Sequence, residues 1–111
     1  MIVATANDAL VAFAGFGGAR DEVGTGAELY MIYVSPSAWG TGVAGQLLAT
    51  CVESLSRSGY RDAFLWVLRH NVRARHFYER EGWKHEGERR DTIRENGFTL
   101  DLDELRYVRA L

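Results

Sequence analysis

Apolar and polar positions alternate in blocks along the chain, and these blocks predict short strands and two helices. The unbroken apolar runs at 29–34 and 63–68 are typical of strands that are buried on both faces. Between the runs, apolar residues recur at helical spacing and predict a helix from about Thr41 to Ser56. A second helix is predicted at 72–81, with Asn71 as its N-cap. Strand, helix and strand with short links form a βαβ unit, so we expect the two runs to be parallel with a right-handed crossover.

The N-terminal segment indicates antiparallel strands. Met1–Val3 and Leu10–Phe16 flank the turn-forming pair Asn7-Asp8 and predict a β-hairpin. A polar loop flanked by glycines is expected at 19–25, before the first long apolar run.

The C-terminal segment indicates a second hairpin. Residues 84–94 are dense in charges of both signs and predict a solvated strand and loop. Asn96-Gly97 is a strong hairpin turn, and the alternating apolar residues after it predict a closing pair of antiparallel strands. The expected order is therefore β-β-β-α-β-α-β-β, an α/β fold with a mixed, twisted sheet that forms one domain over 1–111.

A glycine-spaced loop joins the first long strand to the first helix. Ser35-Pro36 ends the strand, and Gly40, Gly42 and Gly45 follow just before the helix. Such a junction favours phosphate oxygens, because glycines expose backbone N–H groups and the helix dipole adds positive charge there. The spacing also fits the dinucleotide fingerprint, whereas the Lys and Ser or Thr of a P-loop are missing. A third reading is that these glycines only turn a strand into a helix.

Composition narrows the classes of partner. The formal net charge of −2 gives no electrostatic reason to expect nucleic acid or an anionic membrane. No apolar run approaches the length of a membrane span, and no Cys/His spacing predicts zinc or another metal. The single cysteine, Cys51, lies on the apolar stripe of its helix and is expected in the core. One cysteine excludes an intrachain disulfide, so we expect a reducing, cytoplasmic location.

Two motifs together resemble the GNAT superfamily of N-acetyltransferases. The family loop is Gln/Arg-x-x-Gly-x-Gly/Ala, which the segment from Trp39 to Ala44 matches except at its first position. The second signature is Asn-x-x-Ala-x-x-Phe-Tyr-x-x-x-Gly-Phe. It is met by Asn71, Ala74, Phe77, Tyr78 and Gly82, with Trp83 as the final aromatic. The resemblance covers roughly residues 10 to 111 and implies acetyl transfer from acetyl-CoA to a primary amine.

The resemblance also implies roles for residues. Tyr78 would protonate the departing coenzyme A thiolate, although an aromatic residue on an inward helix face is also an ordinary core residue. Glu28 would remove a proton from the acceptor amine, or it is an exposed charge at a strand end. Asn71 would contact the cofactor, cap its helix, or do both, and the N–H of Val34 would stabilise an oxyanion. The residues expected to bind acetyl-CoA are Ile32, Tyr33, Val34, Trp39, Gly40, Thr41, Gly42, Val43, Ala44, Gly45, Asn71 and Tyr78.

Two departures from the family pattern limit these expectations. Trp39 stands where the family has Gln or Arg, so the phosphate contact of that side chain is in doubt. The family normally begins with a strand and two helices before the hairpin, so the fold is expected to be shortened at its N-terminus. The acceptor, a small molecule or peptide amine, is not identified by the sequence. The alternative hypothesis is a non-catalytic module for acyl-CoA binding or dimerisation, and an exposed sheet edge would favour a homodimer.

Overall fold

The computed structural model describes residues 1–20 and 26–111, so residues 21–25 of the expected polar loop lie outside it. Within the described residues, six strands and two α-helices follow in the predicted order, and the α/β fold class is confirmed. The elements are β1 (Ile2–Ala6), β2 (Ala9–Gly18), β3 (Ala27–Val34), a 3₁₀ turn (Pro36–Ala38), α1 (Val43–Arg57), β4 (Asp62–Leu68), α2 (Val72–Arg80), β5 (Lys84–Glu95) and β6 (Phe98–Ala110). They form two compact units, Met1–Ala63 with Ala110–Leu111, and Phe64–Arg109.

The first unit is a three-stranded antiparallel sheet with α1 packed against it. β1 pairs with β2 around the turn at Asn7 and Asp8, both of which have a positive φ. β2 then pairs with β3, and a register shift after Gly15 leaves Tyr30 unpaired. The buried side chains of α1 are Leu47, Leu48, Cys51 and Leu55, which confirms the predicted apolar stripe.

β3 differs from its prediction in one respect. Ala27, Glu28 and Leu29 are buried, but Met31 and Tyr33 are each 49% exposed. The prediction of burial on both faces is therefore wrong for the C-terminal half of the strand, because apolar sequence alone does not show which faces are covered. This half of β3 leads directly into the glycine loop.

Cys51 lies in the core of the first unit, as expected. Its side chain is 1% exposed, and burial raises the pKa of its thiol to about 11. The thiolate is the nucleophilic form of cysteine, so the raised pKa argues against a catalytic role.

The second unit contains α2 and three neighbouring strands, with β6 between β4 and β5. β4 is buried at Ala63, Phe64, Leu65 and Val67, which confirms its prediction as an inner strand. β5 pairs with β6 through the turn at Asn96-Gly97, and every residue of β5 is exposed. The loop predicted within 84–94 is wrong, because β5 continues as a strand to Glu95.

The two described helices differ from membrane-spanning helices in length and hydropathy. Neither of them combines the length and the apolar character that a membrane crossing requires.

Candidate functional site

The junction of β3 and α1 is built as a tight loop. The Ser35 N–H donates to the Val11 oxygen at 2.7 Å, which holds the end of β3 against β2. The 3₁₀ turn follows, and the Thr41 hydroxyl donates to the Ala38 oxygen. The indole N–H of Trp39 turns back and donates to the Val34 oxygen at 3.0 Å. The Trp39 and Thr41 side chains therefore hold the loop through hydrogen bonds to backbone oxygens.

The first turn of α1 presents backbone N–H groups with few internal partners. The first helical hydrogen bond runs from the Gln46 N–H to the Gly42 oxygen at 3.2 Å. The Val43 N–H reaches only the Thr41 hydroxyl, at 3.4 Å. The N–H groups of Gly42, Ala44 and Gly45 precede the hydrogen-bonded ladder and have no partner within the described residues. Such a set of donors at a helix N-terminus is suited to an anion.

Two glycines keep the surface of this loop open. Gly40 and Gly42 have φ values of +78° and +85°, which residues other than glycine rarely adopt. A Cβ added at either position would meet no described atom within 4 Å. The positive φ accounts for glycine at both positions, and the open space leaves the neighbouring backbone N–H groups accessible to a ligand. The residues fit the phosphate cradle that the sequence predicted.

The end of β3 adds one more backbone donor. Ala12 lies opposite Val34, and the Ser35 N–H points toward β2. Because successive N–H groups on a strand point to opposite sides, the Val34 N–H points away from β2. Ile32 and Val34 are half-buried, and Tyr33 is exposed on the other face of the strand.

Glu28 is buried, and its carboxylate is held by Arg20. The side chain is paired at 3.1 Å between Oε2 of Glu28 and Nη2 of Arg20, while the whole residue is 4% exposed. The Arg20 N–H donates to Oε1 of Glu28 at 3.0 Å. The alternative of an exposed charge at a strand end is therefore wrong. Any role of Glu28 as a base must therefore be compatible with its ion pair to Arg20.

Asn71 caps α2, as predicted. Its Oδ1 accepts a hydrogen bond from the Ala74 N–H at 3.2 Å. The side chain is exposed, and its amide NH₂ group has no partner in the part of the chain that is described. That group is available for a ligand.

Tyr78 lies near the C-terminal end of α2, in an aromatic setting. Its ring is 5.4 Å from Phe77, 6.3 Å from Trp83 and 6.4 Å from Tyr107, between ring centroids. The residue is 7% exposed, and burial raises the pKa of its phenol to about 12. The phenol is therefore protonated at neutral pH and can donate a hydrogen bond. Within residues 1–20 and 26–111, no side chain or backbone oxygen accepts that bond.

The support for Tyr78 includes a network that the sequence did not reveal. The hydroxyl of the fully buried Tyr107 accepts from Nε of Arg75 at 3.1 Å and donates to Glu79 at 2.7 Å. Arg75 also donates to the Arg69 oxygen at 3.0 Å. Arg75 and Glu79 are one helical turn apart on α2, so Tyr107 of β6 fixes this helix and the tyrosine it carries. In the sequence, the i, i+4 spacing of Arg75 and Glu79 predicts only that the two side chains are neighbours on α2. It does not predict that both bind the hydroxyl of a buried tyrosine.

The predicted site residues are therefore distributed over both units. The strand end Ile32–Val34 and the loop Trp39–Gly45 come together in the first unit, which also contains Glu28. Asn71 and Tyr78 lie on α2 of the second unit. No group of three or more His, Cys, Asp or Glu side chains with metal-binding geometry occurs among the described residues. His70 and His76, which were expected at the surface, are exposed.

The family of the chain follows from comparison with known proteins. A sequence profile of the acetyltransferase (GNAT) family matches residues 1–83. The chain belongs to this family. It is 36% identical over 90 residues to a mycothiol acetyltransferase of Brachybacterium faecium, an alignment that covers 78% of this chain and 27% of the relative. The chain thus spans about a quarter of that relative's length.

Solved structures agree with the family assignment. An N-acetyltransferase from Staphylococcus aureus Mu50 is 26% identical, with a TM-score of 0.80 over 97% of this chain and 65% of its own. A GNAT acetyltransferase from Elizabethkingia anophelis with acetyl-CoA bound is 18% identical, with a TM-score of 0.79 over 98% and 74% of the two chains. The first supports the relationship, and the second supports the fold alone. The family is one of acetyltransferases.

Proposed function

We propose that this chain transfers an acetyl group from acetyl-CoA to a primary amine. The observation that carries the proposal is the loop between β3 and α1, where unpaired backbone N–H groups meet two glycines with open space at their Cβ positions. Open glycines also occur at the turns of Gly59 and Gly97. The unpaired donors at the N-terminus of α1 are therefore the feature that favours an anion here. Because the chain belongs to the acetyltransferase family, acetyl-CoA is the ligand that we propose for this loop.

Acetyl-CoA supplies an activated acetyl thioester, and the chain's backbone holds it. The N–H groups of Gly42, Ala44 and Gly45 would bind phosphate oxygens at the N-terminus of α1. The strand end Ile32–Val34 would bind the pantetheine arm. The Val34 N–H would donate to the acetyl oxygen as negative charge develops there, an interaction that is stronger in the transition state than in the ground state. Asn71 would add its free amide group as a further donor.

Glu28 is proposed for proton transfer, and Tyr78 is proposed as a hydrogen-bond donor to the leaving sulfur. Glu28 would take a proton from the ammonium form of the acceptor, because only a neutral amine attacks a thioester. Bridging water molecules would carry the proton, since Glu28 and Val34 are six residues apart on β3, about 20 Å at the usual strand rise. The Tyr78 phenol would donate to the sulfur as its bond to the acetyl carbon breaks. An ordinary thiol has a pKa near ~8.5, well below that of this phenol, so we expect a strong hydrogen bond rather than complete proton transfer.

The test is a titration followed by a turnover assay. Calorimetry with acetyl-CoA should show saturable binding, and an amine panel should then include amino acids, peptides with a free α-amine, and aminothiol conjugates. The last class is included because a similar protein is a mycothiol acetyltransferase. Release of free CoA that depends on one of these amines supports the enzyme. Binding without turnover of any amine favours the alternative, a non-catalytic acyl-CoA-binding module.

Self-association is the second part of the proposal. On the sheet face opposite α1, Val3, Phe13 and Tyr33 stand side by side across three strands. Val3 is 56% exposed, and β1 carries no charge that would discourage pairing. A homodimer would cover this apolar surface. Sedimentation equilibrium at micromolar concentration should show a dimer that Val3→Lys weakens, and a monomer of the parent chain alone would contradict it.

We also propose that the protein is located in the cytoplasm. A single cysteine, buried and with a raised pKa, is compatible with a reducing cytoplasm, where acetyl-CoA is used.

A further inference from the structure

Arg20 holds the buried carboxylate of Glu28 in a fixed orientation. Three donors of this one residue reach the carboxylate: the backbone N–H to Oε1 at 3.0 Å, Nε to Oε1 at 3.5 Å, and Nη2 to Oε2 at 3.1 Å. Backbone and side chain of Arg20 therefore grip the two oxygens at once. An ionised carboxylate at 4% exposure requires such partners, because burial without them is costly.

The two oxygens of Glu28 are not equivalent in this arrangement. Each carboxylate oxygen has two lone-pair directions. Oε1 accepts two donors from Arg20, and Oε2 accepts one. Within the described part of the chain, Oε2 therefore keeps one acceptor direction for an acceptor amine or a bridging water.

Tyr30 holds Arg20 in turn. The guanidinium carbon of Arg20 lies 4.2 Å from the centroid of the Tyr30 ring, a cation–π contact. The Tyr30 hydroxyl donates to the Gly18 oxygen, which fixes the ring. A Cβ on Gly17 would lie 2.7 Å from that hydroxyl, so glycine is required there for the ring to take this position. The bulge in β3 at Tyr30 thus serves the Arg20–Glu28 pair.

We propose that Arg20 is a positioning residue for the proton transfer assigned to Glu28. It donates two hydrogen bonds to Oε1 and one to Oε2, so that Oε2 is the atom that takes the proton of the acceptor. The proton moves from the ammonium nitrogen to Oε2 through bridging water molecules, and the nitrogen lone pair then becomes available for attack. This inference rests on the proposed function.

A purely structural ion pair makes a different prediction. If Arg20 only balanced a buried charge, any cation at its position would serve, and its removal would reduce stability without a specific effect on turnover. Lysine keeps the charge but donates from a single nitrogen, so it cannot hold both oxygens of a carboxylate as the guanidinium fork does. Arg20→Lys therefore separates charge balance from orientation.

The experiment is a double-mutant cycle on the full chain. Arg20→Ala, Arg20→Lys, Glu28→Gln and the double variant Arg20→Ala/Glu28→Gln are assayed for kcat, for the acetyl-CoA Kd and for Tm, with a reactive amine from the panel. We expect Arg20→Ala and Arg20→Lys each to lower kcat roughly ten- to one-hundred-fold with the acetyl-CoA Kd unchanged, because the base is misoriented. Glu28→Gln should lower it by roughly 10²–10⁴-fold.

The double variant is decisive. If Arg20 acts through Glu28, then Arg20→Ala should change kcat by no more than about two-fold when Glu28 is already Gln. An equal loss in both backgrounds would overturn the inference, as would wild-type kcat in Arg20→Lys. The double variant buries no unpaired charge, so it remains informative if Arg20→Ala alone fails to fold.

Arg57→Ala is the matched control, since Arg57 forms an exposed pair with Glu53 on α1. It should leave kcat unchanged. If the parent chain turns over no amine at all, the proposed function fails and this inference fails with it. That result differs from one in which the parent chain is active and the Arg20 variants have the same kcat as the parent, which would overturn this inference alone.

Discussion

The indole nitrogen of Trp39 donates a hydrogen bond to the backbone oxygen of Val34, and this bond closes the loop that leads from β3 into α1. The N–H and the oxygen of one strand residue point to the same side, so the indole lies on the side of β3 to which the Val34 N–H is directed. The family pattern has Gln or Arg at this position. In this chain the side chain instead braces the strand end whose N–H is proposed to bind the acetyl oxygen.

Replacing Trp39 with Phe tests this brace. Trp39 is 52% exposed, and the change keeps a six-membered aromatic ring while it removes the N–H donor together with the five-membered part of the indole. We expect the acetyl-CoA Kd to rise roughly three- to ten-fold, since an exposed neutral hydrogen bond contributes about 0.5–1.5 kcal/mol, while Tm changes little. Isothermal calorimetry gives the Kd, and an unchanged value would mean that the brace does not support the site.

Gly42 and Gly59 form a matched pair for the phosphate cradle. Both have a positive φ, +85° and +93°, and open space at the Cβ position, but Gly59 lies beyond the C-terminal end of α1. Gly42→Ala and Gly59→Ala should therefore cost similar stability, about 1–2 kcal/mol each.

Only the change at Gly42 should affect the ligand. For the parent chain, acetyl-CoA at one hundred times its Kd should stabilise the fold by about 2.7 kcal/mol. Gly59→Glu should keep this stabilisation at the same ligand concentration, and Gly42→Glu should abolish it by filling the cradle with like charge. Thermal unfolding with and without acetyl-CoA measures both. If acetyl-CoA stabilises Gly42→Glu as much as the parent chain, this loop is not part of the cofactor site.

Tyr78 should make the stability of the fold sensitive to alkaline pH. Burial raises the pKa of this phenol from 10.0 to about 12, so the unfolded chain releases its proton at lower pH than the folded chain. The contribution to stability is complete below pH 10 and is lost as the pH rises toward 12. The slope is about 1.4 kcal/mol per pH unit for one group. In urea unfolding across this range, Tyr78→Phe should lose less stability than the parent, and parallel curves would contradict the burial of the ionisable hydroxyl.

Cys51 should behave as a core residue. With the thiol buried and its pKa raised to about 11, a thiol reagent at pH 8 should react only through unfolding. The reaction rate should therefore rise with low concentrations of urea, and Cys51→Ala should lower stability while leaving kcat unchanged. Rapid labelling in buffer would contradict this assignment.

Most of the fold could be predicted because its signals are local. The short apolar runs of β1 and β2, the alternation in β6, the apolar stripe of α1 and the cap at Asn71 each involve residues within a few positions of one another, where propensity and periodicity act directly. The exposure of Met31 and Tyr33 could not be predicted, because it depends on which elements cover β3. The continuation of β5 to Glu95 was missed because a charged strand on a sheet edge has the composition of a loop.

The site shows the same division. The glycine loop has a local pattern, so its place between β3 and α1 could be predicted, as could the position of Tyr78 on α2. The partners of these residues are distant in sequence: Arg20 for Glu28, and Tyr107 for Arg75 and Glu79. No periodicity connects them, and each pair forms only because the chain folds back. The sequence thus located the groups proposed for the chemistry, whereas their hydrogen-bonding and ion-pair partners became visible only in the structure.

The central claim is that this chain moves an acetyl group to an amine with the help of Tyr78. The most direct measurement is mass spectrometry of the amine product after incubation with isotope-labelled acetyl-CoA, for the parent chain and for Tyr78→Phe, under conditions where chemistry limits the rate. We predict labelled N-acetyl product from the parent, and a rate roughly 10²-fold lower for Tyr78→Phe with KM for acetyl-CoA nearly unchanged, because the hydroxyl acts on charge that develops in the transition state. A correctly folded Tyr78→Phe variant that forms labelled product at the parent rate, or a parent chain that binds acetyl-CoA and labels no amine, would contradict the account.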